Sequence, residues 1–366
     1  MVYFDFAATT AISNEALDLY NYVARHVPRN SNSLHAKGDL ANRWLQTSAT
    51  KLATLLSVRP EQLVFTSGGT EANEVAIETA LRAHPGKTIL ISGGEHASIH
   101  HFAHEWELFG YTVETIPFTE EGIIDVSMLQ KKLSKDVALV ALQHVNHEIG
   151  TRQPIERVAQ LLTGSSTKLH VDCVQSFGKM DLRAVTALVS SISLSSHKIH
   201  GPKGVGVTWL KEKRGLPYNF SSRTKDVPSI ASFVGASEIA EKKRIHVASH
   251  LQLMRQTFID QLLETELPVI IYGKEETAPT GILGFGIRQI EGEWLMHELS
   301  REGFYISTGS ACYVGMTDAA MTMQALGVED ERAREFCRVS FGESTTTEGI
   351  DALISSIENI AKRLYT

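Results

Sequence analysis

The 366-residue chain has little cysteine, no surplus of positive charge and no long uncharged apolar run. Its three cysteines, Cys173, Cys312 and Cys337, cannot all pair with one another and lack zinc-type spacing, which argues against a disulfide framework and a structural zinc site. A net charge of -7 lacks the basic excess of a nucleic-acid binder, so no nucleic-acid partner is expected. No uncharged apolar stretch approaches the roughly 18 residues of a membrane-spanning helix. The start, Met1-Val2-Tyr3-Phe4-Asp5, has neither a basic flank nor a cleavage pattern, and the expectation is a cytoplasmic protein without a membrane partner. Internal repeats, low-complexity tracts and heptads are also missing. What remains is an ordinary folded composition, 43% hydrophobic and 21% charged, on a chain long enough for a large domain and a smaller one.

Along the chain, apolar runs alternate with segments of helical spacing. Helical patterns cover Asn14 to Val27 and Ala41 to Ser57, separated by the polar stretch Pro28 to Ser33. Strand-like runs follow at Gln62 to Thr66, Thr88 to Ser92, Thr112 to Ile116, Val137 to Gln143, Lys168 to Asp172, Leu188 to Leu194 and Gly204 to Leu210. Helical segments fall between most of them, near Glu74 to Ala83, His100 to Phe109, Val126 to Leu133 and Ile155 to Leu162. This alternation predicts an α/β fold, with a mostly parallel seven-stranded sheet and helices on both faces. Order lapses across Lys211 to Pro228 before a long helical pattern from Ser229 to Glu264. The expected division is a large domain over 15–228 and a small α+β domain over 229–366, with 1–14 associated with the latter.

In such sheets ligands bind at the carboxyl ends of strands, and the chemistry-bearing residues cluster there. Ser67-Gly68-Gly69-Thr70 lies between a strand and a helix, where small residues allow backbone N–H groups to approach a phosphate; a glycine pair before a helix is more often plain turn chemistry, so the phosphate reading needs corroboration from elsewhere. Asp172 ends a buried strand, either as a cap on the next turn or as a carboxylate that keeps a pyridine nitrogen protonated. His96 is either a hydrogen-bonded surface histidine or a ring stacked on a flat cofactor. Lys198, in Ser195-Ser196-His197-Lys198-Ile199-His200-Gly201-Pro202-Lys203-Gly204, falls on a turn between two buried strands. A lysine there is either solvated or a nucleophile for a carbonyl. A carboxylate for a ring nitrogen, an imidazole for a ring face, small residues for a phosphate and an amine for an aldehyde are together the parts of a pyridoxal 5'-phosphate enzyme. Cys312 is flanked by the small residues Thr308-Gly309-Ser310-Ala311 and by Gly315, which suits a solvent-reachable thiol, whereas Cys173 and Cys337 have apolar settings.

The same residues carry a resemblance. The stretches Tyr3 to Thr10, Phe65 to Asn73, Glu95-His96, His144 to Gly150, His170 to Ser176, the Lys198 segment, Ser307 to Cys312 and Arg338 to Gly342 resemble the pyridoxal-phosphate-dependent cysteine desulfurases of the class V aminotransferase group, which have the fold type I architecture. The resemblance implies that Lys198 binds the cofactor aldehyde covalently, His96 stacks on the ring, Asp172 pairs with the pyridine nitrogen and Gln175 hydrogen-bonds the ring hydroxyl. It assigns the phosphate to Gly69, Thr70, Ser195 and His197, and the substrate carboxylate to Asn146 and Arg338. Cys312 becomes the thiol that takes sulfur from L-cysteine as a persulfide, releasing alanine and passing sulfur to an acceptor protein or small thiol, as in iron-sulfur cluster or thio-cofactor biosynthesis. A homodimer is implied, with Thr224 reaching the phosphate of the partner subunit.

The chain departs from the family in places. The glycine-rich segment usual between the lysine loop and the small domain is missing between Leu210 and Val227, and Ser221 replaces an arginine. His147 stands where the family has a second asparagine after Asn146, and Asn32-Ser33-Leu34-His35 replaces a motif that begins Asn-Pro. These changes bear on pocket shape and dimer contacts. They keep open other pyridoxal phosphate chemistry on a small amino acid (selenocysteine lysis, β-elimination or transamination) and a non-catalytic sulfur-transfer partner.

Overall fold

All seven strand-like runs become strands of one sheet in the computed structural model, which describes residues 1–217, 220, 224–273, 278, 280–309 and 321–365. In chain order the elements are β1 (Val2–Tyr3), α1 (Asn14–His26), α2 (Ala36–Leu56), β2 (Leu63–Thr66), α3 (Gly69–Ala83), β3 (Thr88–Ser92), α4 (Ala97–Glu105) and β4 (Thr112–Ile116). They continue with α5 (Val126–Lys132), β5 (Val137–Gln143), α6 (Ile155–Leu161), β6 (Lys168–Asp172), α7 (Arg183–Leu188), β7 (Ser191–Ser195) and β8 (Gly206–Leu210). The order across the sheet is β2-β8-β7-β6-β5-β3-β4, parallel throughout except for β8, which runs antiparallel between β7 and β2. Strand β5 is buried at every position, the near-continuous apolar signature of a strand covered on both faces.

Two boundaries differ from the sequence reading. The run at Leu188 is not all strand: Leu188 closes α7, whose Val185 and following Val189 seat on the core while Leu188 stays half exposed, and β7 starts only at Ser191. Helix α3 begins at Gly69 rather than near Glu74, because Gly68 caps it and its carbonyl accepts from Ala72 N–H at 3.0 Å. Gly69 and Thr70 therefore form the first helical turn, where N–H groups have no intrahelical partner.

Beyond the sheet, α8 (Val227–Glu264) contributes Ile230, Phe233 and Val234 to the core under the large sheet. Its later turns supply Leu251, Met254, Phe258 and Leu262 to a second core with Phe285, Leu353 and Ile357. That core lies against a four-stranded antiparallel sheet, β12-β13-β10-β9, formed by β9 (Val269–Tyr272), β10 (Ile282–Ile287), β12 (Ser307–Thr308) and β13 (Phe336–Ser340). Strand β1 pairs in parallel with β11 (Phe304–Tyr305), and Phe4 is buried in the second core. The chain then runs to the lysine loop, where Thr10 N donates to His197 O at 2.9 Å and Ser13 N to His200 O at 2.9 Å. Among the described residues no helix is long and apolar enough to cross a membrane.

The interior holds ionisable groups in their neutral forms. Burial holds His100 and His144 to about 4 and His170 to about 3, and it pushes Glu95 up to about 8. Each tenfold change in proton affinity is worth about 1.4 kcal/mol. For the imidazoles the folded affinity is below the unfolded one, so their stabilisation is complete above pH 6.5 and is lost as pH falls through 4. For Glu95 the sign is opposite: its contribution is complete below pH 4.5 and lost as pH rises through about 8. The expected stability maximum is near pH 6.5, with a loss of several kcal/mol by pH 4. Denaturant melts from pH 4 to 8.5 check this, and Glu95→Gln should flatten the alkaline side and steepen the rise between pH 4.5 and 6.5, where Glu95 opposes the histidines.

Candidate active site

The carboxyl ends of β2, β3, β5, β6 and β7 open on one cavity of about 410 Å³. Its lining includes Gly69 and Thr70 after β2, His96 after β3, His147 after β5, Asp172 and Gln175 at the end of β6, and Ser195, His197 and Lys198 after β7. Arg338 enters from β13 of the small sheet, and Asp5 from the N-terminal segment. Most of the residues singled out in the sequence thus meet in one place because parallel strands deliver their ends to the same edge.

Lys198 ends a short 3-10 turn, Ser196–Lys198, and its ammonium donates to the carbonyls of Ala7 and Ala8, the latter at 2.8 Å. Gln175 donates from Nε2 to the same Ala7 carbonyl at 2.9 Å, so the two side chains share one acceptor at the mouth of the cavity. The residues expected at a phosphate also line this cavity. Ser195 Oγ is buried in the wall of the cavity and has no hydrogen-bond partner among the described residues. A buried hydroxyl left unpaired costs about 1–3 kcal/mol, which a ligand oxygen would recover. A Cβ on Gly69 would meet Val174 Cγ2 at 2.9 Å and Ser195 Cβ at 3.5 Å, so only glycine leaves this first helical turn so close to the strand. His197 lines the same cavity with Nδ1 3.0 Å from Thr9 Oγ1. The residues present fit a group with an anionic end, a flat ring and an aldehyde.

Behind Asp172 is a network that sequence reasoning missed. Asn73 Nδ2 donates to Asp172 Oδ2 at 2.9 Å and to Ser98 Oγ at 3.0 Å, using both of its N–H groups. Its Oδ1 must then accept from His170 Nε2–H at 3.1 Å. Asp172 Oδ1 accepts from Val174 N at 2.8 Å. The carboxylate is therefore held at both oxygens. His96 is the N-cap of α4, and its Nδ1 accepts from Ser98 N–H at 3.2 Å. Because a backbone N–H can only donate, His96 carries its proton on Nε2. Burial lowers its proton affinity, opposed by Asp172 and reinforced by Lys198 and Arg338.

Arg338 donates from Nη2 to Asp5 Oδ1 at 2.7 Å and from Nη1 to the His147 carbonyl at 3.0 Å. Its Nε–H has no partner among the described residues. Arg338 and Asp5 are 333 residues apart in sequence, and this buried pair sets the guanidinium at the cavity wall. Asn146, read as the other half of the carboxylate site, is placed elsewhere. Its side chain is fully buried behind the wall, donating to Gly94 O at 3.0 Å and Thr322 Oγ1 at 3.1 Å and accepting from Glu148 and Ile149 N–H at 2.9 and 2.8 Å. It caps the turn after β5 and has nothing left for a substrate. The neighbour that lines the cavity is His147, whose ring meets that of His96 edge-on at 5.4 Å.

Two residues fall apart from this constellation. Thr224 is exposed and outside the cavity of its own chain. Cys312 lies outside the described residues. Cys173 and Cys337 are buried, and burial pushes both thiols up, Cys337 to about 12. Neither is a ready nucleophile.

Comparison with known proteins gives the family and the fold. The family model of class-V aminotransferases matches residues 2–215 and 212–353. A putative cysteine desulfurase NifS of Bacillus subtilis (strain 168) is 36% identical, with 97% of this chain and 93% of that protein covered. A cysteine desulfurase IscS 1 of Archaeoglobus fulgidus is 31% identical over 100% of this chain and 98% of its own. The solved structure of a NifS-like protein superposes with a TM-score of 0.89 at 29% identity, covering 99% of both chains.

Proposed function

From the premise that the chain belongs to the class-V aminotransferases and, within them, to the cysteine desulfurases, we propose that it is a pyridoxal-phosphate enzyme acting on L-cysteine, with Lys198 as cofactor anchor and Cys312 as sulfur acceptor. The observation that carries the reading is the meeting of Lys198, Asp172, His96 and the unpaired Ser195 hydroxyl in one cavity at the strand ends. Bound there, pyridoxal phosphate supplies an electron sink for the α-carbon of the substrate.

The chain's own groups do the rest. Gly69, Thr70, Ser195 and His197 would hold the phosphate, Asp172 would keep a proton on the ring nitrogen, and Gln175 would offer its second Nε2 N–H to the ring hydroxyl. His96 would cover the ring and offer its Nε2–H, and Arg338 would take the substrate carboxylate, a task suited to a planar fork of donors. Lys198 then moves protons at the α-carbon. The sulfur leaves the substrate for Cys312, so that L-cysteine and Cys312–SH become L-alanine and Cys312–S–SH, a balance that needs no oxidant. A thiol or acceptor protein in the cytoplasm collects the sulfur. A second copy of the chain completes the site, with the exposed Thr224 of each reaching the phosphate of the other.

The test is to incubate the purified protein with L-cysteine and dithiothreitol and to follow alanine and sulfide in the parent and in Cys312→Ala. Both products are expected from the parent. Cys312→Ala should lose at least about a hundredfold in sulfide release, on the scale of removing a positioned catalytic group. Equal sulfide from both proteins would sink the persulfide step and point to a lyase.

A further inference from the structure

His147 is tied into the cavity wall in a way that dictates which of its two nitrogens carries the proton. Gln143 donates from Nε2 to the Gly94 carbonyl, which turns its Oε1 toward His147. That oxygen is 3.2 Å from His147 Nδ1. An amide oxygen can only accept, so Nδ1 must be the protonated nitrogen and Nε2 carries a lone pair. Nε2 has no hydrogen-bond partner among the described residues and is not sealed from solvent, and the ring lines the cavity. The edge-on neighbour His96 is fixed in the opposite tautomer by the N-cap of α4. The two imidazoles therefore offer complementary functions side by side, an N–H from His96 and a bare acceptor from His147.

An acceptor cannot hold a carboxylate. With Asn146 spent behind the wall, Arg338 is the carboxylate donor here, and it is joined to His147 directly through Nη1 and the His147 carbonyl at 3.0 Å. The group that an amino acid carries on the carbon next to its carboxylate is its ammonium, which has only hydrogens to offer. The geometry points to His147 as a specificity-determining residue of the substrate site, whose Nε2 accepts a hydrogen bond from the α-ammonium of the incoming amino acid while Arg338 holds the carboxylate. This rests on the reading of the cavity as an amino-acid site. It gives the position a different task from the carboxamide that stands there in the family, which could also donate to the carboxylate. It also predicts that carboxylates without an amine gain nothing from this residue.

The experiment compares the holoenzyme with His147→Phe, which keeps the ring contact with His96 and removes the acceptor, and with His147→Gln, which restores an acceptor oxygen. Binding is measured for L-alanine, which has both groups, and for 3-mercaptopropionate, which has a carboxylate and no amine. A hydrogen bond with one charged partner corresponds to about ten- to a hundredfold in affinity. His147→Phe should weaken L-alanine by about that factor and leave 3-mercaptopropionate unchanged, and His147→Gln should recover most of the loss. Equal weakening of both ligands, or no weakening of L-alanine, overturns the assignment. Nitrogen-15 spectra of the histidine-labelled protein give an arm independent of turnover: His147 is expected with its proton on Nδ1, and a proton on Nε2 refutes the proposal. Absence of alanine release from L-cysteine by the parent would count against the proposed reaction alone, since both the binding and the tautomer measurements remain readable.

Discussion

Lys198→Ala is expected to leave a folded protein that loses the visible absorbance of bound cofactor on dialysis and releases alanine from L-cysteine at least about a thousandfold more slowly, the scale of losing both a nucleophile and a proton carrier. The reasoning starts from the wall of the cavity. The amine reaches the carbonyls of Ala7 and Ala8 across the end of β7. A lysine that gives up its proton at the cavity wall is a nucleophile for an aldehyde, and among the described residues no other side chain of the lining offers a primary amine. Truncation leaves two carbonyls to find water at the cavity mouth, a cost of about 1–3 kcal/mol each at most, so folding should survive. Lys198→Arg separates charge from reactivity, since it can satisfy the same carbonyls and cannot anchor an aldehyde. It should be as inactive as the alanine variant and more stable in a thermal melt. Retained absorbance after dialysis of either variant, with turnover near that of the parent, would refute the role of Lys198.

How much of this was legible before the structure depends on the kind of residue. The sheet was readable because each strand is a short apolar run bounded by a helical period, and β5 is buried at every position. Lys198, Asp172, His96 and Thr70 were readable because reactive side chains at strand ends are rare in a plain core. The identity of the cavity-facing residue after β5 was not. Asn146 and His147 are adjacent, and only the turn that Asn146 itself caps decides which one faces inward. The Asp5–Arg338 pair joins the two ends of the chain, and no local pattern announces it. Asn73 did leave a signal. It follows Thr70 by three residues in α3 and so shares its face, yet a buried asparagine on a helix reads as a turn former until His170, Asp172 and Ser98 are seen around it.

Asp172→Ala carries the second large effect. Asp172 is the acidic side chain in the cavity lining apart from Asp5, which Arg338 already engages. Its oxygens are held by Asn73 and by the Val174 N–H, both of which are donors. Such donors fix its orientation, and a carboxylate set in place is what keeps a proton on a ring nitrogen. Removing it should reduce cofactor affinity by about ten- to a hundredfold and turnover by about a hundred- to a thousandfold, the range seen when a preorganised charge is taken from a reacting system. Asp172→Asn is the sharper probe, because it keeps the size and loses the charge. Its amide would also place an N–H against a donor, since Asn73 faces it with Nδ2 and turns Oδ1 to His170. A displaced absorbance maximum of the bound cofactor is expected in Asp172→Asn, with turnover as low as in Asp172→Ala. Asn73→Ala makes the control for positioning: it leaves the carboxylate in place and frees one oxygen, so its loss should be about tenfold and its absorbance close to that of the parent. If Asn73→Ala and Asp172→Asn were equally impaired and equally displaced in absorbance, the geometry of the network rather than the charge of Asp172 would be the controlling feature.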